Sequence, residues 1–136
     1  MTKSPEQVHR VLGIMSGSSL DGLDVACCTF QLVGGRWNHQ IEAAETFSYD
    51  EELARTLGSL NEVQSKAFIN SDTWLGRFIG NAINRFIKAH HLKNIDYIAS
   101  HGHTAFHNPS EGYSTQIGNG AIIAALLGNK KERTSP

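Results

Sequence analysis

A short apolar run, Val11-Leu12-Gly13-Ile14-Met15, lies inside Val8 to Met15 and predicts a buried strand near the start of the chain. A small, polar, glycine-punctuated segment follows, Ser16-Gly17-Ser18-Ser19-Leu20-Asp21-Gly22. Leu23 to Leu32 then predicts a second strand, with Val25, Cys27, Thr29 and Gln31 on one face. Gly34-Gly35 is a turn signal, after which Arg36 to Ser48 reads as a third strand. Short connections make these three strands an antiparallel meander.

Asp50 to Leu57 predicts a helix, with Asp50, Glu51 and Glu52 at the end where the helix dipole favours acids. Asn61 or Ser65 is positioned to cap a further helical stretch. The strongest periodicity runs from Thr73 to His91, where Leu75, Phe78, Ile79, Ala82, Ile83, Phe86 and Ile87 recur at three- and four-residue intervals. That stripe reads as core packed on a sheet rather than as a ligand site. Asn94 to Ser100 predicts a returning strand, parallel to one of the first three through a right-handed crossover. It delivers His101 and its neighbours to the sheet edge, where ligands of open α/β sheets sit. Pro109 to Gly112 reads as a loop and Ser114 to Ile117 as an extended piece. Ala121 to Leu127 reads as a short apolar helix, capped by Asn119 and closed by Gly128. The expected architecture is an α/β layer structure with a mixed sheet.

The 136 residues suffice for one domain with a buried core. A hydrophobic content of 40% with 18% charged residues suits a globular chain rather than a disordered one. The net charge is −1 and its carriers are scattered, so no basic stripe recruits duplex nucleic acid or an anionic membrane. No run approaches the roughly 18 apolar residues that a bilayer span needs, and Met1 to His9 lacks the apolar core of a secretion signal. The only two cysteines, Cys27 and Cys28, are adjacent, which disfavours a bond between them and predicts reduced thiols in a cytoplasmic protein.

Three segments carry chemistry. In Gly17-Ser18-Ser19-Leu20-Asp21-Gly22, small residues let backbone N–H groups approach an anion, and the hydroxyls add donors. Asp21 and Asp24 could hold Mg²⁺ through waters, because Mg²⁺ gives up its hydration shell reluctantly. The segment has no lysine and is not a Walker A loop, and read in isolation it is as well explained by a plain hairpin turn.

The second segment, His101-Gly102-His103-Thr104-Ala105-Phe106-His107-Asn108-Pro109, places His101 and His103 two residues apart, on one side of an extended chain. Zinc bound by His101, His103 and His107 lacks a carboxylate or thiolate inside the cluster to complete it. Recognition of a sugar hydroxyl array by a polar strand end is the rival, and simple satisfaction of backbone groups is the plain alternative. The third segment, Ser114-Thr115-Gln116-Ile117-Gly118-Asn119-Gly120, ends at a helix N-terminus that can attract an anion, although ordinary capping explains it equally.

Taken in order, Gly-x-Met-Ser-Gly-x-Ser-x-Asp-Gly-x-Asp, His-Gly-x-Thr-x-x-His-x-Pro and Thr-x-Ile-Gly resemble the anhydro-N-acetylmuramic acid kinases from about Arg10 to Gly128. The resemblance implies an actin/hexokinase/Hsp70-like, ribonuclease H-like fold, of which residues 1–128 form part of the N-terminal lobe and 129–136 a polar tail outside the family pattern. It implies that ATP phosphorylates the sugar at O6 while water opens its 1,6-anhydro bridge, giving N-acetylmuramic acid 6-phosphate during cell-wall recycling. Gly17, Ser18, Ser19, Leu20, Asp21 and Gly22 then fall at the ATP-phosphate site, with Mg²⁺ near Asp21 and Asp24. His101, His103, Thr104, His107 and Gln116 fall at the sugar cleft. The family also implies a homodimer for its full-length members.

Departures are Ser18 for the usual Thr, His103 where Gln is common, and Asn119 where Asp is common. The Asp-Phe-Arg sequence that follows the last helix in the family, and the general-base aspartate after it, have no counterpart in Asn129 to Pro136. The expectation is therefore an incomplete kinase with no assignable catalytic base, marginally stable because one edge of the returning strand and part of the last helix stay uncovered. A non-catalytic nucleotide-binding or interaction fragment is the alternative.

Overall fold

The computed structural model describes residues 7–128, so the tail expected at 129–136 lies outside the described residues. Strands β1 (Val8–Ser16), β2 (Gly22–Val33) and β3 (Arg36–Ser48) form the expected antiparallel meander. Helix α1 (Glu51–Gly58) follows, capped by Asp50, whose side chain accepts from the Leu53 N–H at 2.7 Å. A short 3₁₀ turn, Leu60–Glu62, leads into helix α2 (Ser65–Ala89). Strand β4 (Tyr97–Asn108) returns parallel to β1, β5 (Tyr113–Ile117) pairs antiparallel with β4, and helix α3 (Gly120–Leu127) completes the order. The sheet runs β3-β2-β1-β4-β5.

Helix α2 spans 25 residues and joins the stretch expected after Asn61 or Ser65 to the one the periodicity places from Thr73; its cap position is Gln64 rather than either expected residue, and no side chain caps it. No proline or glycine interrupts Ser65 to Leu75, so nothing local ends the first turns. Leu75, Ile79, Ile83 and Phe86 are fully buried against Leu12, Ile14, Leu23, Val25 and Ile98 of the sheet. Helix α3 lies on α2 where the latter has no side chains. A Cβ at Gly76 would stand 3.0 Å from the Asn119 backbone, and one at Gly80 2.8 Å from Leu126.

Strand β4 departs from the expected element. It does not stop at Ser100 but continues to Asn108, so the histidine segment is strand rather than a cluster beyond a strand end. Its register shifts twice, against β1 between Ile14 and Ser16 and against β5 between Thr104 and Phe106. Ile98 and Ser100 face the helices; past the first shift that face is taken by His103. The expectation that His101 and His103 share a side is thereby overturned, because a bulge adds a residue and reverses the alternation. Gly102 makes the bulge, with φ +69° and a Cα so close to β5 that a Cβ would stand 2.1 Å from the Ile117 carbonyl oxygen.

All three helices cover one face of the sheet. The other face is open and largely apolar, carrying Met15, Trp37 and Ile41 at 53%, 59% and 62% exposure. On the β5 side, the ladder begins at His103.

Gly102→Ala combines left-handed strain of about 1–3 kcal/mol with a backbone clash. A loss of more than about 3 kcal/mol, or failure to fold, is expected in chemical denaturation; a loss under 1 kcal/mol counts against the bulge. The open face predicts binding of a hydrophobic dye and concentration-dependent self-association. Met15→Lys and Ile41→Lys together should cut both at least threefold, and a sharp-melting, dye-negative monomer contradicts this account.

Candidate functional site

The turn between β1 and β2 is tight. The Leu20 N–H donates to the Gly17 carbonyl at 3.3 Å, and Leu20 itself sits at φ 60°. Packing holds this unfavourable conformation, since Leu20 lies against the core near Gly58 of α1. Gly22 begins β2 where a Cβ would stand 2.7 Å from the Phe47 carbonyl oxygen. Ser18, Ser19 and Asp21 are exposed at the tip. Asp21 accepts from the Ser19 hydroxyl at 2.8 Å, and Asp24, on the open face beside Met15, accepts from the Thr46 hydroxyl at 2.6 Å.

The second bulge keeps Thr104 and His107 of β4 on the face that Gln116 and Ser114 present from β5. Gln116 Nε2 donates to Ser114 Oγ at 2.8 Å and reaches Thr104 Oγ1 at 3.4 Å, while His107 Nδ1 lies 3.4 Å from Ser114 Oγ. His101 lines a shallow depression of ≈ 470 Å³ on the open face with Gly13, Met15, Asp24, Ala26 and Ala99. The result is a polar row of His101, Thr104, His107 and Gln116 running off an apolar floor that carries Asp24.

His103 lies apart from this row. It is 5% exposed, and its Nδ1 is 2.7 Å from Ser16 Oγ, which in turn accepts from the Tyr49 hydroxyl at 2.6 Å. Burial holds the His103 imidazole below its ordinary pKa, opposed by the Ser16 backbone, which favours the protonated ring, so the ring is neutral near pH 7. Burial also pushes the Tyr49 phenol up to about 12, opposed by the Ser16 hydrogen bond and aided by Asp24 and Asp21. The tyrosine thus senses both carboxylates at this end of the sheet. Zinc bound by His101, His103 and His107 does not fit this arrangement: the bulge separates the rings, and among the described residues no group of three or more His, Cys, Asp or Glu could hold a metal ion.

The third segment is held from α2. Asp72 accepts from the Gly118 N–H at 2.8 Å and from Asn119 Nδ2 at 3.3 Å, and its own carbonyl accepts from the Asn119 N–H at 3.2 Å. Asn119 caps α3 as expected, accepting from the Ile122 N–H at 3.1 Å. An amide suits this position, since a carboxylate here would face that of Asp72.

Sequence reasoning missed Tyr49 and Asp72 as residues that hold the site. Tyr49 follows a strand and precedes a cap, and Asp72 lies one turn before Leu75 and Gly76 on the buried side of α2, where its partners come from residues 46 and 47 positions further along the chain. Of the cysteines, Cys27 is buried and its thiol is pushed up to about 12 by burial and by Glu42, while Cys28 is half-buried on the opposite face. Both are free thiols, as the sequence predicts.

A mixed five-stranded sheet with this strand order, helices on one face and a small-residue turn between its first strands, is the lobe that sugar kinases and actin-like ATPases share. The profile of the anhydro-N-acetylmuramic acid kinase family matches residues 9–130, and the chain belongs to that family. Among curated relatives, the anhydro-N-acetylmuramic acid kinase of Acinetobacter baylyi is 35% identical over 124 residues, covering 86% of this chain and 31% of the relative. That of Hydrogenovibrio crunogenus is 32% identical over 133 residues, covering 94% of this chain and 35% of the relative. The chain thus spans about a third of the length of the relatives it matches. Among the described residues no helix is long and apolar enough to cross a membrane.

His103 titrates with a sign that can be checked. Its folded pKa lies below the unfolded value of about 6.5, so the unfolded chain takes up the proton first and stability falls as pH drops below that value. Denaturation at pH 7.5 and 5.5 should show this loss in the wild type. His103→Gln keeps an acceptor for Ser16 and should shrink the loss; equal losses in the two proteins would remove His103 as its cause.

Proposed function

We propose that this chain supplies the phosphate-binding turn and part of the sugar cleft of an ATP-dependent anhydro-N-acetylmuramic acid kinase. The observation that carries this is the Ser16–His103 hydrogen bond at 2.7 Å, which fastens the Ser/Gly turn to the strand bearing the polar row at one end of the sheet. Backbone N–H groups and hydroxyls of Gly17 to Gly22 bind the ATP phosphates. His101, Thr104, His107 and Gln116 meet sugar hydroxyls, with His103 beneath them as a support. Asp21 and Asp24 would hold Mg²⁺ through waters, because hard carboxylate oxygens suit this ion. Bound there, Mg²⁺ would neutralise phosphate charge that no lysine of the turn can meet.

In the reaction, water adds at C1 as the C1–O6 bond opens, O6 takes the γ-phosphoryl group, ADP leaves, and the water's proton passes to a carboxylate. That base comes from the two-thirds of the relatives' length that this chain does not span. The setting is cytoplasmic recycling of cell-wall sugar, with the family's homodimer as the assembly. A second reading is favoured by the open apolar face: a non-catalytic fragment that binds nucleotide or pairs with another chain.

Transfer of labelled γ-phosphate to anhydro-N-acetylmuramic acid distinguishes these readings, comparing the 136-residue chain with a protein extended over the relatives' full length. Activity is expected only in the extended protein, and Asp21→Asn should lower its kcat/KM about 100-fold. Activity in the short chain would place the base within it. Inactivity of both would favour the second reading.

A further inference from the structure

One residue meets both ends of the β1–β2 turn. The Tyr49 backbone N–H donates to the Asp21 carbonyl at 3.4 Å, and its hydroxyl donates to Ser16 Oγ at 2.6 Å. Its ring, 9% exposed, stands edge-on to Phe78 of α2 at 5.2 Å, so the turn is anchored to the helical layer as well. Ser16 passes the connection on. With the phenol donating to it, the serine hydroxyl is free to donate its own hydrogen to His103 Nδ1, leaving the imidazole proton on Nε2. Three elements remote in sequence thus share one buried chain of hydrogen bonds.

A buried tyrosine needs a partner for its hydroxyl wherever it lies, and one bond to any carbonyl would satisfy it. Tyr49 instead joins the first and last supports of the same turn. The turn needs such restraint: Gly17, Ser18 and Ser19 carry little side-chain bulk, and an unrestrained segment of this kind loses backbone freedom when it closes on an anion. Restraint supplied beforehand removes that cost from binding.

We propose that Tyr49 is a positioning residue: it clips the two ends of the Gly17–Gly22 turn together and locks them to β4 through Ser16 and His103, presetting the turn for a polyphosphate. The ligand in this statement rests on the phosphate-site reading above, whereas the clip itself does not.

Tyr49→Phe removes the hydroxyl and keeps the ring; Ser16→Ala removes its acceptor. In the 136-residue chain without ligand, NMR hydrogen exchange at the bonded Leu20 and Tyr49 amides should quicken about tenfold in each variant. Exchange in the β1–β2 ladder at Ile14 and Val25 should change less than twofold, and the double variant should be no faster than either single one. Unchanged exchange at Leu20 and Tyr49, an equal rise through the whole ladder, or additive effects in the double variant would each overturn the clip. If Tyr49→Phe does not fold, Ser16→Ala alone decides on the same amides. A titration with Mg-ATP, read on the Gly17 to Gly22 resonances, tests the ligand separately. Once exchange has established the clip, about tenfold weaker binding in Tyr49→Phe supports the presetting, equal binding overturns it, and no response in the wild type counts against the phosphate site while leaving the clip in place.

Discussion

The passage of Gly102 against the carbonyl of Ile117 constrains most of what surrounds the site. At that contact a side chain has no room, and the positive φ turns the strand so that its alternation reverses. The reversal sends His103 into the layer beneath the sheet and leaves His101, Thr104 and His107 on the open side. Gly118 closes over the same spot, 3.4 Å from the Gly102 Cα by the position of its own absent Cβ, and Asp72 ties it down. Helix α2, β4 and β5 therefore meet at one point, and the geometry of the polar row depends on it.

Few charges act at this end of the molecule. The buried chain of Tyr49, Ser16 and His103 is built from neutral groups whose burial keeps them neutral, so it fixes geometry without adding charge. Asp21 and Asp24 are the nearby acids, and the turn has no basic side chain of its own. On the proposed reading, an anion bound at this turn would meet backbone dipoles and hydroxyls rather than a basic side chain. Away from the turn the electrostatics are structural: Arg10 pairs with Glu42 at 2.9 Å, and Glu42 also takes a hydrogen bond from Cys27.

The sheet that organises the site is covered on one side only. Its helices bury a continuous core, while the opposite face presents Met15, Ile41, Trp37 and Tyr97 beside the His101 depression. The sequence predicted exposure at the edge of the returning strand; the structure places β5 along the later half of that edge and leaves the larger exposure on the face.

The sequence by itself determined the meander, the crossover helix, the cap at Asn119, and the family, because each rests on residues close together in the chain: a periodic stripe, a glycine pair, a capping side chain, a short motif. It also singled out the Ser/Gly turn and the histidine segment. Which face each histidine occupies was decided only in three dimensions. The bulge at Gly102 arises from a close approach between strands, and an alternation counted along one strand cannot register an inserted residue. Tyr49 and Asp72 were invisible for the same reason: their partners lie 33 and 46 residues away, so only the folded chain brings them together.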